Sequence, residues 1–131
     1  ELSSAWVIQA NTIETWRNAN FPSLPLIFTE IGYQSADSAN LTPWGTTSNH
    51  PNPTLQQNCY EACLSVMSHR TWFYGMYWWN WETNPSSGGI TDTGFTPQNK
   101  PAESTLKTWY SKPLPLLDIK DWYDYSKTKK H

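Results

Sequence analysis

Apolar positions recur along this chain with two periods, close to four and close to two, and their alternation lays out five elements. Ser3 and Ser4 offer a helix N-cap, and Trp6, Ala10 and Ile13 follow at helical spacing. They predict a helix over 4–19, ended by the Phe21–Pro22 step. Leu26, Ile27 and Phe28 then form a short apolar run between prolines and Gly32, which reads as a strand over 25–33 buried on both faces. From 34 to 52 the composition turns to Ser, Asn, Thr, Pro and Gly, with one large apolar residue, Trp44. A long loop of that kind in a compact domain tends to be functional. Asn52 and Pro53 supply a cap and a first-turn proline for a second helix. Its apolar stripe is Leu55, Cys59, Ala62, Cys63, Val66 and Met67. A second dense strand covers 71–81, with Tyr77, Trp79 and Trp81 on one face and Trp78 and Asn80 on the other. Gly75 marks a close approach within it. A loop over 82–99 leads to a third helix opened by Pro101, with Ala102, Leu106, Trp109 and Tyr110 along one stripe.

The order helix, strand, helix, strand, helix implies two parallel strands joined by right-handed crossovers. Two strands leave both sheet edges open, so the expected fold is α/β and incomplete on its own. The chain's 131 residues suit one modest domain, against roughly 250 for a whole (β/α)8 barrel. Residues 1–111 carry the β/α pattern. Residues 112–131, with Pro-Leu-Pro-Leu-Leu and a basic end, read as an extension packed along the outside and frayed at its tip.

Nine Lys plus Arg stand against 11 Asp plus Glu, which gives no pull toward nucleic acid or an acidic membrane. No apolar run approaches the ~20 residues of a membrane span. Neither nucleic acid nor membrane is an expected partner. Nine Trp, seven Tyr and four Phe are a heavy aromatic load. Such rings build cores and also serve as flat platforms for sugar rings, and the count admits both uses. Cys59 and Cys63 lie one turn apart on a buried helix face and read as small buried thiols. They are poorly placed for a disulfide and lack further ligands for a metal. No cofactor or metal is expected. The sequon Asn40-Leu41-Thr42 is the one hint of secretion, because the chain opens on Glu1 with no signal peptide in view.

Glu30 ends the first apolar strand. A carboxylate beside apolar surface is costly to desolvate without partners or a task, and parallel α/β folds place chemistry at the C-terminal ends of strands. Position alone leaves open whether Glu30 pairs with an arginine, caps a helix or reacts. Four motifs tip the balance. They are Thr29-Glu30-Ile31-Gly32-Tyr33-Gln34-Ser35, Pro43-Trp44, Gly75-Met76-Tyr77-Trp78-Trp79-Asn80-Trp81, and the stretch from Gly94 to Glu103. In this order and spacing, over residues 24–111, they resemble the C-terminal part of glycoside hydrolase family 113. That family comprises retaining β-1,4-mannanases built on a (β/α)8 TIM barrel of clan A. The resemblance implies that 25–33 is the seventh barrel strand and 73–81 the eighth. It implies that Glu30 is the nucleophile and that Trp44, Trp79 and Trp81 form a sugar-binding surface. Tyr33 stands beside them, either donating to the carboxylate or anchoring the loop.

A retaining glycosidase needs a second carboxyl group about 5–5.5 Å from the first, acting as acid and then base. In clan A that group lies on the fourth strand, which is absent here. Glu82 is the only other carboxylate near a strand end, and it reads as a loop residue. The chain is therefore expected to be part of a retaining endo-β-1,4-glycanase, mannanase-like, with the nucleophile but not the acid/base, and inactive alone. Its expected partners are a β-linked oligo- or polysaccharide and another polypeptide supplying the remaining strands. The alternative is a catalytically inactive secreted relative, used for carbohydrate binding or as a structural component.

Overall fold

A computed structural model describes residues 1–112; the extension expected over 112–131 lies, apart from Lys112, outside the described residues. The five expected elements are present: α1 (Leu2–Asn20), β1 (Leu26–Ile31), α2 (Pro53–Met67), β2 (Phe73–Trp78) and α3 (Pro101–Tyr110). Helix α1 begins earlier than expected, with Glu1 rather than Ser3 or Ser4 at the N-cap and no side-chain cap bond. It turns toward β1 through Arg17, whose Nε donates to the Leu24 carbonyl at 2.7 Å. Helix α2 starts as expected: the Asn52 side chain accepts from the Leu55 amide at 2.9 Å, and Pro53 takes the first turn. No helix among the described residues is long and apolar enough to cross a membrane.

The strands pair in parallel as a two-stranded sheet, and α2 packs against both α1 and α3. One cluster joins Ala10, Cys63, Met67 and Trp72 to Leu26, Phe28 and Ile31 from β1. A second joins Tyr33, Cys59, Tyr60 and Leu64 to Ala102 and Leu106 of α3. Because α2 is covered on both flanks, its buried set is broader than one stripe. It takes in Gln56, Tyr60 and Leu64, while Leu55 and Val66 are only half-buried. Tyr60 stacks flat on Trp78 at 3.9 Å, fastening α2 to the sheet. In α3 the stripe is narrower than expected, with Ala102 and Leu106 inside and Tyr110 exposed.

Two further expectations need correction. Both strands are shorter than their apolar runs, so Gly32 and Tyr33 fall beyond β1 and Trp79 to Trp81 beyond β2. And β1 is covered on one face only: Ile27 is 50 % exposed, as is its open-face companion on β2, Tyr77, at 67 %. The helices cover one side of the sheet, and no described segment lies over the other.

Candidate active site

The register of β1 decides where Glu30 points. Leu26 and Phe28 join the helix-side cluster and Ile27 and Thr29 alternate outward, so strict period two would send Glu30 inward. The ladder slips between Phe28 and Ile31, and the burial order becomes in, out, in, out, out, in. Ile31 thus joins the core and Glu30 is turned out. An irregularity of this type re-aims a side chain at the end of a strand.

Just beyond, the two strand ends close on each other. The Trp79 amide donates to the Ile31 carbonyl at 2.6 Å. The Trp79 carbonyl oxygen occupies the place a Cβ would take on Gly32, and the Phe95 ring edge lies 3.2 Å from that same point. Only glycine permits that approach. The Trp79–Asn80 peptide is cis. Glu30, Trp79, Phe95, Tyr33 and Trp44 line a hollow of about 500 Å³ above the strand end.

Of the residues expected at the site, Glu30, Tyr33, Trp44 and Trp79 are brought together, and Trp81 is not among those lining this hollow. Glu30 is exposed and has no hydrogen-bond or ion-pair partner among the described residues. Both arginines are engaged elsewhere, Arg17 with the Leu24 carbonyl and Asn18, Arg70 with Glu14 and Asn11. Neither helix that follows a strand takes its cap from Glu30. Trp44 is 80 % exposed, whereas Tyr33 is 9 % exposed and joins the core. Burial, with the nearby Cys63 and Cys59, pushes the Tyr33 phenol's pKa well above the ordinary value, and the Trp6 side chain opposes the shift. Glu82 does sit in the loop, where its Oε1 accepts from Asn80 Nδ2 at 2.6 Å.

Both loops framing the hollow are tied internally. In the first, Gln34 Oε1 accepts from the Thr46 amide, Thr46 Oγ1 donates to the Asp37 carbonyl at 3.0 Å, and Asn52 Nδ2 donates to Asp37 Oδ1 at 2.7 Å. In the second, Gln98 Oε1 accepts from the Glu82 amide at 2.6 Å and from Thr96 Oγ1 at 2.8 Å. The Lys100 ammonium is buried and donates to Asp92 Oδ1 at 2.6 Å and to the Gly94 carbonyl at 3.0 Å. Desolvation draws the Lys100 pKa down, and Asp92 opposes the shift. The loops meet at Gln56, whose Nε2 donates to the Tyr33 and Phe95 carbonyls, both at 2.9 Å. Gln98 and Lys100 stand within the Gly94–Glu103 motif, though with no role read for them, and Gln56 went unnoticed in the sequence. The one signal was a glutamine one turn before Tyr60, on the side of α2 that becomes buried.

This is an α/β fold matching part of a TIM barrel. A solved GH113 β-1,4-mannanase structure superimposes with a TM-score of 0.74 at 23% identity, covering 85% of this chain and 36% of that one. A GH113 β-1,4-mannanase complex gives 0.71 at 24% identity, over 82% and 35%. The GH113 β-mannanase AaManA from Alicyclobacillus acidocaldarius, in complex with ManMIm, gives 0.70 at 22%, over 83% and 36%. The chain thus spans about a third of the length of these structures, and at such identities the likeness is one of fold. No curated protein matches the chain. Residues 3–100 match Glycoside Hydrolase Family 113, and the chain belongs to that family. The match takes in α1, which the expected span of 24–111 left out, and stops short of α3.

Proposed function

We propose that this chain supplies the seventh and eighth strands of a retaining β-1,4-mannanase-type barrel and carries its nucleophile, Glu30, but not its acid/base. The observation that carries this reading is the slip in β1, which turns an otherwise unpartnered carboxylate outward beside Trp79 and Trp44. In the reaction a Glu30 oxygen attacks the anomeric carbon of a β-linked mannose unit as the bond to the leaving oxygen breaks. A carboxylic acid elsewhere in the barrel, about 5–5.5 Å away, protonates that oxygen and then deprotonates the water that frees the sugar. Trp44 and Trp79 offer apolar faces on which pyranose rings stack. The substrate class is β-linked mannan, and the remaining strands come from polypeptide outside these residues. The exposed Asn40 of the sequon supports an extracellular location.

The test is Glu30→Gln in the intact protein. The substitution keeps the shape and removes the attacking charge, so turnover falls by orders of magnitude while oligosaccharide affinity is retained. Full hydrolytic activity in the variant would refute the nucleophile role. An intact wild-type protein that binds mannan without cleaving it would leave only a carbohydrate-binding relative.

A further inference from the structure

We propose that Gln56 is a positioning residue for the Glu30 site and acts on it through Phe95. Gln56 is fully buried near the start of α2. Its Nε2 spends both protons on backbone carbonyls, one on Tyr33 in the loop after β1 and one on Phe95 in the loop after β2. These two loops are the walls of the hollow, and they are far apart in sequence. Around this bridge the Ser35 amide donates to the Gly94 carbonyl at 3.0 Å, and Lys100 Nζ donates to the same carbonyl. The main chain of Gln56 is tied to the same loop. Its backbone N–H donates to the Asn52 carbonyl at 3.2 Å, and the Asn52 amide donates to the Ser35 carbonyl at 2.9 Å.

The consequence reaches the site through one contact. Phe95 packs against Gly32, two residues after Glu30, and Gly32 is where the Trp79 backbone closes on β1. The Gln56 side chain therefore sets how far Phe95 stands from the carboxylate and from the Trp79 wall. Gln56 touches no substrate atom. Its effect is to hold the loops in one arrangement before a ligand arrives, which lowers the ordering cost of binding.

The inference rests on the mannanase-type reading, which supplies its probe, β-1,4-mannotetraose. In the intact protein, with folding checked by near-ultraviolet circular dichroism, Gln56→Met removes both donors at nearly constant size. Affinity for mannotetraose should fall about tenfold, and the amides of Gly94, Phe95, Thr96 and Gln98 should exchange faster with solvent. In a Phe95→Ala background the same change should cost less than about twofold, because the residue it acts through is already gone. Unchanged affinity in folded Gln56→Met, or a full further loss in the Phe95→Ala background, overturns the proposal.

If Gln56→Met does not fold, Gln56→Glu replaces it. A protonated acid at this position donates to one of the two carbonyls, whereas the ionised form donates to neither and repels both. Affinity that falls as pH rises, against a flatter wild-type profile, supports the proposal; parallel profiles overturn it. The two readings fail separately. Loss of the Gln56 coupling with Glu30 still labelled by a fluorosugar inactivator removes only the positioning role. An unlabelled Glu30 with the coupling intact removes only the nucleophile. A wild-type protein that binds no mannotetraose removes both.

Discussion

Two residues at the hollow have different tolerances. Gly32 is fixed by backbone, since the carbonyl of Trp79 stands where a side chain would begin. Gly32→Ala should cost about 1–3 kcal/mol in chemical denaturation of the intact protein, the range for forcing extra volume into a packed site. A loss below about 0.5 kcal/mol would mean that the strand ends are not held so closely. Trp44 is the opposite case, 80 % exposed on a loop braced by Gln34, Asp37 and Thr46. Trp44→Ala should leave stability within about 0.5 kcal/mol and weaken mannotetraose binding several-fold. Equal losses of both would return Trp44 to a structural role. The sequence exposed these residue types but not their neighbours. Glu30 stood out because a carboxylate ended an apolar run, yet its direction depends on a one-residue slip that no alternation pattern contains.

At the scale of elements, α2 organises the rest. Its start was legible because Asn52 and Pro53 are a local signal, and Asn52→Ala should cost about 1 kcal/mol through the lost bond to the Leu55 amide. Its breadth of burial was not legible, because it depends on α1 and α3 flanking the same helix. That double cover encloses the thiols, and burial pushes Cys59 up to about 11 and Cys63 higher still. A raised thiol pKa gives stability that is fully present below the unfolded value of 9.0 and lost as pH rises through the folded one. Denaturation midpoints should therefore fall between about pH 9 and 11, and Cys59→Ala should reduce the fall. A midpoint flat across that range would show that the thiol ionises as readily in the folded protein.

For the whole molecule, the open sheet face is the dominant fact. Ile27 and Tyr77 stand exposed on it, and among the described residues the sheet has two strands, neither of them paired on its outer edge. Residues 1–131 expressed alone should aggregate or bind hydrophobic dye; a cooperative monomeric thermal transition would contradict that. The parallel pairing of the two strands was legible from the order of elements, and the family from motifs that lie at strand ends and in the loops. The ties that join those loops were not, because Gln56, Gln98 and Lys100 are ordinary polar residues until the fold buries them. The central claim is that Glu30 attacks the sugar, and the most direct measurement is covalent trapping. The intact protein is treated with a 2-deoxy-2-fluoro-mannoside inactivator and the labelled peptide is sequenced by mass spectrometry. The account predicts a glycosyl ester on Glu30. A label on another carboxylate, or hydrolysis with Glu30 unmodified, would contradict it.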